Sequence, residues 1–447
     1  MLQRKRRVAT ALLLTLCILG VYFWSRAKAV RTNSQWLTGA HDYGYHGEQV
    51  EGDGKLRHLL IPATEVSNET CKLLASAVIL DYPGPVILGL PEKRTLAGIS
   101  AGRARQLEER IFKLVVVLEY LESLPRSADQ DLALMLDAFD VWLLLPPQLV
   151  ELRYRRVLQE SNARLAARGI LGLDSGGRAV RSSIVFGADQ SCYPDETRPY
   201  CSCVPDSPLR DPNSDTPTKE GSAAHAKWAN TGVYMGPVDN LRALLRSGLK
   251  LSESGYRPDY EWRFEDQGTT QDVWAEQERA RTRLAGGNAT LKVPDVQHVS
   301  EFLQSTGDSV EHGITIDYEG QVTQQAWSSM HSILWTTYDS IRDKLRDPLD
   351  DFKDLPQPFG GDTGQTWGGT KIGANLATKH AFPIFHMTAH KGLRWQLWPK
   401  MWFHKHGKTV LGQKSAKVVL WSRDGTKTER KSWEDICFQY KLFPDHS

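Results

Sequence analysis

The densest chemistry in the sequence lies between Asp131 and Pro147, in the run DLALMLDAFDVWLLLPP. Its apolar stretch Leu132-Ala133-Leu134-Met135-Leu136 stops at Asp137, and Asp140 follows before Val141 and Trp142 resume the apolar character up to Pro146-Pro147. A short apolar run bounded by polar residues reads as a buried strand, although periodicity alone leaves a helix open. As a strand it would carry both carboxylates at its C-terminal end, where open α/β sheets bind their ligands. Two carboxylates so close raise each other's pKa and resist burial. A divalent cation would relieve that cost, since hard Mg²⁺ or Mn²⁺ takes oxygen ligands and bridges phosphates. The plainer alternative is a strand-end turn with two solvated aspartates.

Further acids stand near the ends of expected elements: Glu265-Asp266, Asp317 with Glu319, and Asp189. His386 ends a second apolar strand, Phe382-Pro383-Ile384-Phe385-His386, and Lys391 follows closely. Two carboxylates and one imidazole would hold a cation and leave positions open for a diphosphate. Lys391 would then neutralise charge on the departing phosphate. Glu265 or Asp266 would act as a base toward an acceptor or stabilise a cationic, sugar-like transition state. Each assignment has a plain rival. His386 reads equally as a satisfied strand-end residue, and Lys391 with Arg394 and Lys400 as a solvated basic face. Glu265-Asp266 reads as favourable charge at a helix N-terminus, with Asp266 or Gln267 serving the helix start. The sequence holds no serine nucleophile elbow, P-loop or G-x-G-x-x-G fingerprint, which argues against hydrolase, NTPase and dinucleotide readings. A metal-assisted enzyme acting on a phosphate-containing donor remains, beside a metal-dependent phosphoesterase.

These residues need a scaffold. Strand candidates at residues 57–62, 85–90, 183–187 and 314–319 alternate with helical stretches at 71–80, 103–124, 147–167, 238–246 and 264–283. In the second of these, Leu107, Ile111, Leu114, Val115, Leu118 and Leu121 recur at helical spacing. The alternation implies βαβ units, hence an α/β fold with a mainly parallel central sheet. Residues 228–237 read as a turn and strand, 192–224 as an irregular excursion, and 348–375 as a loop or insertion. In the tail, residues 407–447, only Lys417-Val418-Val419-Leu420-Trp421 alternates.

The N-terminus suggests an address. Arg4, Lys5, Arg6 and Arg7 precede an uncharged, mostly apolar run, residues 8–24, with Arg26 and Lys28 beyond it. The run is short for a membrane span, and a cleaved signal peptide is the alternative. Bulky Tyr22, Phe23 and Trp24 suit a membrane interface better than a cleavage site. The expectation is a type II protein with a cytoplasmic tail (1–7), a transmembrane helix (8–24) and a stem (25–55). Its lumenal body would lie in the Golgi or endoplasmic reticulum, whose thinner membranes fit a short span. Asn68-Glu69-Thr70 and Asn288-Ala289-Thr290 are glycosylation sequons usable in a lumen. Outside the span stand Cys71, Cys192, Cys201, Cys203 and Cys437, an odd set in which Cys192 with Cys201 or Cys203 is the most local bridge. The formal net charge of +2 gives no nucleic-acid footprint. The 14 tryptophans would suit a carbohydrate or nucleotide site, or core packing.

Taken in order, Leu136-Asp137-Ala138-Phe139-Asp140-Val141-Trp142, Asn230-Thr231-Gly232, Glu265-Asp266-Gln267 and the His386 segment resemble a known family. It is the GT-A glycosyltransferase domain of the procollagen galactosyltransferase and lysyl hydroxylase glycosyltransferase type, with its fungal type II membrane relatives. The resemblance covers roughly residues 57–403. It implies a GT-A-like nucleotide-diphospho-sugar transferase fold over 56–406, followed by a C-terminal extension at 407–447. It further implies a UDP-sugar donor, a protein or glycan acceptor, and Mn²⁺ (or Mg²⁺) held by Asp137, Asp140 and His386. Phe139 would stack on uracil, and Pro62-Ala63-Thr64 would contact the nucleotide. Asn230, Thr231, Gly232 and Gln267 would lie near the donor sugar, Glu265 and Asp266 would be the catalytic acids, and Lys391 would meet the diphosphate. Asp317-Tyr318-Glu319 resembles the family's acidic strand end, and the segment from Ile184 to Cys192 with Tyr193-Pro194 its Cys-Trp-Pro segment. The chain departs from the family at His386-Met387-Thr388-Ala389-His390-Lys391, where His-x-Asn-Gly-x-Lys is usual. Alanine restricts the backbone where glycine would not, His390 becomes an alternative ligand, and Glu265 is one methylene longer than the family's aspartate. Those departures leave a non-catalytic lumenal binding protein as a rival.

Overall fold

The computed structural model describes residues 54–89, 103–170, 172–173, 179–194, 196, 200–209, 226–253, 265–286 and 309–444, apart from 328, 349, 362, 363, 389, 390 and 423–427. Residues 8–24, the Asn288 sequon and His390 lie outside them. Among the described residues no helix is long and apolar enough to cross a membrane.

Runs such as Leu59-Leu60-Ile61 and Leu132 to Leu136 have no polar face because the strands they form are covered on both sides. Eight strands make the main sheet. In spatial order these are β14 (Thr428–Lys431), β13 (Val418–Trp421), β2 (Pro85–Leu88), β1 (Leu56–Pro62), β3 (Leu132–Leu136), β6 (Trp228–Pro237), β5 (Ile184–Asp189) and β7 (Ile314–Ile316). All run the same way except β6 and β14. The fold is therefore mixed α/β with a large, mainly parallel sheet.

Strand alternation sends neighbouring residues to opposite faces. Leu59 and Leu134 join one core with Leu73 and Leu74 of α1 (Asn68–Ile79) and Leu149 and Val150 of α3 (Pro147–Ala167). Leu60 and Met135 join the other, with Val117 and Leu121 of α2 (Arg103–Ser123), Leu241 and Leu245 of α4 (Val238–Glu253), and Trp274 of α5 (Asp266–Leu284). α1 opens at the Asn68 sequon. Its Thr70 is buried and shares a capping box with Ser67, each side chain accepting the other's backbone N–H.

A smaller sheet brings the second half of the chain to the first. There β12 (Ile384–His386) lies between β4 (Val141–Leu143), antiparallel, and β8 (Thr323–Gln325), parallel. The register pairs His386 with Val141, the residue after Asp140.

Two expectations about the chain's later parts need correction. Residues 348–375 are more than a loop. They contain a short helix, Asp350–Lys353, and β10 (Lys371–Asn375), which pairs with β9 (Ile333–Thr337) and β11 (His380–Ala381). Buried Phe352, Trp367 and Ile372 join the core of α1 and α3, so Asp-, Pro- and Gly-rich turns hid elements that tertiary contacts stabilise. Residues 407–447 are likewise no appended extension, because β13 lies parallel beside β2 inside the main sheet. A disulfide ties Cys437 to Cys71 of α1 across 366 positions of sequence, and the Trp433 indole N–H donates to the Cys71 carbonyl at 3.0 Å. Cys71→Ser should lower stability by roughly 2–5 kcal/mol, read as a lower urea midpoint; an unchanged midpoint would show that the tail is held without the bridge.

Candidate metal centre

Asp137 stands where β3 ends, its backbone N–H donating to the Gly232 carbonyl of β6 at 2.8 Å. The turn that follows delivers Asp140 to the start of β4. There the Met387 N–H donates to the Asp140 carbonyl at 2.7 Å and fixes β12 beside it. His386 Nε2 consequently lies 3.3 Å from Asp140 Oδ1 and 4.0 Å from Asp137 Oδ2. One ligand atom from each of the three residues lies within 4.8 Å of the others. Two carboxylates and an imidazole suit Mn²⁺ or Mg²⁺. The imidazole's second nitrogen, Nδ1, is buried without a hydrogen-bond partner.

Room for this group comes from a bulge. Phe186 pairs with Tyr234, yet the next residue, Gly187, pairs with Asn230, so β6 bows outward over Thr231-Gly232-Val233. The expected turn before a strand is thus an irregularity inside one continuous strand. The Asn230 side chain supports it, with Oδ1 accepting the Gly232 N–H and Nδ2 donating to Asp189 Oδ2, both at 2.8 Å. A Cβ on Gly232 would stand 2.0 Å from His386 Cε1 and 2.8 Å from Asp137 Oδ2. Only glycine fits there.

The start of α5 supplies the neighbouring acids. Glu265, rather than Asp266 or Gln267, is the N-cap, its Oε2 accepting the Gly268 N–H at 2.6 Å. Glu265 thus caps the helix, whereas Asp266 is linked to Asp137 through a shared ammonium. Asp266 Oδ2 accepts from Thr231 Oγ1 at 2.9 Å and pairs with Lys113 Nζ of α2 at 2.5 Å. The same ammonium is 2.8 Å from Asp137 Oδ1. On the other flank, Lys391 Nζ and Arg394 Nη2 approach Asp140 Oδ2 at 3.8 and 3.6 Å.

Electrostatics follow from this packing. Burial would raise the Asp140 pKa, but His386, Lys391 and Arg394 outweigh it and hold the carboxyl below its ordinary value. Burial also acts on Asp266, where Lys113 and Thr231 prevail and keep it ionised. For Asp137, burial and the nearby Asp140 outweigh Lys113, and its pKa is raised. Burial opposes charge on His386, yet Asp140 and Asp137 raise its pKa. Burial likewise opposes charge on Lys113, which Asp137 and Asp266 nevertheless hold protonated. Buried Asp189, bonded to Asn230 and beside Gln267, is pushed up.

The residues expected from sequence divide accordingly. Asp137, Asp140, His386, Asn230, Thr231, Gly232, Asp266 and Lys391 converge, and Gln267 is buried beside Asp189. Pro62 and Ala63 are buried and Thr64 exposed where β1 ends, with the Ala63 N–H bonded to the Leu88 carbonyl at 2.9 Å. Phe139 is half-buried and packs against the core. The acids after β7 belong elsewhere. Asp317 accepts backbone N–H groups from Gln321, Val322 and Thr323, and Glu319 pairs with His380.

Lys113 and Arg394 were not singled out as site residues from sequence. Lys113 had a readable signal, because it shares a helix face with buried Val116, Val117 and Leu121, an apolar stripe where lysine is out of place. A cavity of about 500 Å³ at the far end of α5, lined by Arg164, Arg168, Trp274, Glu278 and Arg281 among others, contains none of these residues. No protein-family model matches the chain, and no curated protein matches it either.

Two outcomes follow for metal binding. Gly232→Ala must displace His386 or Asp137 and should weaken Mn²⁺ about ten- to a hundredfold by calorimetric titration; unchanged affinity would contradict the assigned group. Because the metal-free His386 pKa is raised, a cation must displace its proton. Mn²⁺ affinity should therefore climb with pH and level off above that raised pKa. His386→Asn should flatten the climb, and a slope that survives in the variant would assign the proton to another group.

Proposed function

We propose that the protein is a divalent-metal-dependent glycosyltransferase of GT-A type, transferring a hexose from a UDP-sugar to a protein or glycan acceptor in the secretory pathway. The observation that carries this reading is the convergence of Asp137, Asp140 and His386 at the C-terminal edge of β3 in a mainly parallel sheet, flanked by the Lys113–Asp266 pair. Ligands of open α/β sheets bind at that edge. The ordered motifs that resemble the procollagen galactosyltransferase type support it further. Two disulfides, Cys71–Cys437 and Cys192–Cys201, support an oxidising lumen and thus residues 8–24 as a membrane anchor of the Golgi or endoplasmic reticulum.

Asp137, Asp140 and His386 would hold Mn²⁺ or Mg²⁺, which when bound supplies positive charge to a diphosphate. Lys391 and Arg394 offer further positive charge to the phosphate oxygens. In the transfer, the bond between the anomeric carbon and the diphosphate breaks, its electron pair staying on the phosphate oxygen. The acceptor hydroxyl oxygen forms the new bond, and its proton passes to the Asp266 carboxylate. Asp266, held ionised by Lys113, accepts a hydrogen bond from a sugar or acceptor hydroxyl and favours positive charge developing at the anomeric carbon. Glu265 positions that carboxylate by capping α5, and the bulge over Thr231-Gly232 orients it through Thr231.

UDP should raise the melting temperature of the full chain only when Mn²⁺ is present, and a matching UDP-sugar should be hydrolysed slowly under the same conditions. Asp140→Ala should lose both responses while still unfolding cooperatively. Absence of Mn²⁺-dependent turnover with any UDP-sugar would overturn the enzyme assignment, and phosphate release from simple phosphoesters would replace it with a phosphoesterase.

A further inference from the structure

Exposed aromatic rings are unevenly distributed over the described residues. Four are exposed, Tyr193 (42%), Trp327 (50%), Trp395 (71%) and Phe438 (81%), and every one but Phe438 is tethered beside the metal group. Trp327 follows β8, whose Gln325 is in register with His386. The Ala326 N–H donates to the His386 carbonyl at 2.8 Å and the Trp327 backbone N–H to Thr388 Oγ1 at 3.0 Å, so the backbone that carries this indole is anchored at the strand that carries the imidazole. Trp395 directly follows Arg394, whose guanidinium is 3.6 Å from Asp140. The Tyr193 carbonyl accepts from Gln271 Nε2 at 3.0 Å, one helical turn beyond Gln267 on α5, and the neighbouring Cys192–Cys201 bridge fixes its segment.

Single apolar side chains on a surface need no explanation, whereas clustering at a polar site does. An aromatic face removes apolar area from water when a flat, C–H-lined surface covers it, and the indole N–H or phenol O–H stays available to hydroxyl groups. Pyranose rings present such a face with hydroxyls around its rim. An extended peptide would instead seek an open strand edge. β3 and β12, which lead to Asp137 and His386, are each paired on both sides, and the edge strands of the small sheet, β4 and β8, are only three residues long and buried.

We propose that the acceptor is a neutral oligosaccharide whose sugar rings stack on Trp327 and Trp395, with Tyr193 as a third platform. The assignment rests on the glycosyltransferase reading of the same site and narrows its acceptor from protein or glycan to glycan.

The test uses the full chain without donor and a panel of neutral gluco-, manno- and galacto-oligosaccharides, with unglycosylated serine- and threonine-containing peptides for comparison. Calorimetry and indole fluorescence read acceptor binding, and Mn²⁺-dependent UDP binding is measured in parallel. At least one oligosaccharide should bind the wild type, and Trp327→Ala or Trp395→Ala should weaken it roughly tenfold, the size of a lost aromatic contact, with UDP affinity unchanged. Trp327→Phe should keep most of the binding, since it keeps a ring. If UDP binds with Mn²⁺ but no oligosaccharide binds, if the variants bind oligosaccharide as well as the wild type, or if peptides bind instead, the glycan assignment is overturned. If oligosaccharides bind through these rings but UDP does not bind with Mn²⁺, the platforms stand and the glycosyltransferase reading falls.

Discussion

Two carboxylates held close together in a largely buried corner repel each other, and the fold meets that repulsion from separate directions. α2 brings Lys113 to Asp137, β12 brings His386 to Asp140, and the turn after β12 brings Lys391 and Arg394. These cations come from three separate parts of the chain, so the charge balance depends on the sheet order being right. Removing one partner of a buried ion pair costs more than the pair itself contributes, because a charge is left without compensation. The cluster of Asp137, Asp140 and His386 is thus a product of the whole α/β assembly rather than of the turn between β3 and β4.

Glycine makes the assembly possible. The imidazole and the Asp137 carboxylate occupy the space that a side chain at position 232 would need, and the bulge in β6 aims Thr231 at Asp266. The small sheet of β4, β12 and β8 is equally necessary. It folds the chain's later half back so that His386 pairs in register with Val141, far away in sequence. Cys71–Cys437 and β13 close the other side of the main sheet.

The sequence disclosed the carboxylates and the histidine because Asp137 and His386 each end a short apolar run and Asp140 opens the next, a local signal that survives without knowledge of contacts. The parallel sheet was legible for the same reason, as apolar strand runs alternated with amphipathic helices. Lys113 was not legible in this way, since a charged residue on a long helix usually faces water. The bulge in β6 was invisible because Asn-Thr-Gly is also ordinary turn chemistry. β10 was hidden among turn residues, and β13 read as an isolated alternating segment because nothing local says which strand it joins. The pairing of Cys71 with Cys437 is a fact of topology that spacing does not encode. Glu265 takes the plainer of the two roles that the sequence offered, charge at a helix start. One of its carboxylate oxygens accepts the Gly268 N–H at the start of α5.

In the proposed function, Asp137, Asp140 and His386 form one cation site that presents a metal to a nucleotide diphosphate. Electron–nuclear double resonance of the full chain with Mn²⁺ and UDP tests it most directly, because it reports the nuclei bound at the metal. One imidazole nitrogen coupling, lost in His386→Asn, is expected together with phosphorus couplings from UDP. A spectrum of fully hydrated Mn²⁺, or a nitrogen coupling that persists in that variant, would contradict it.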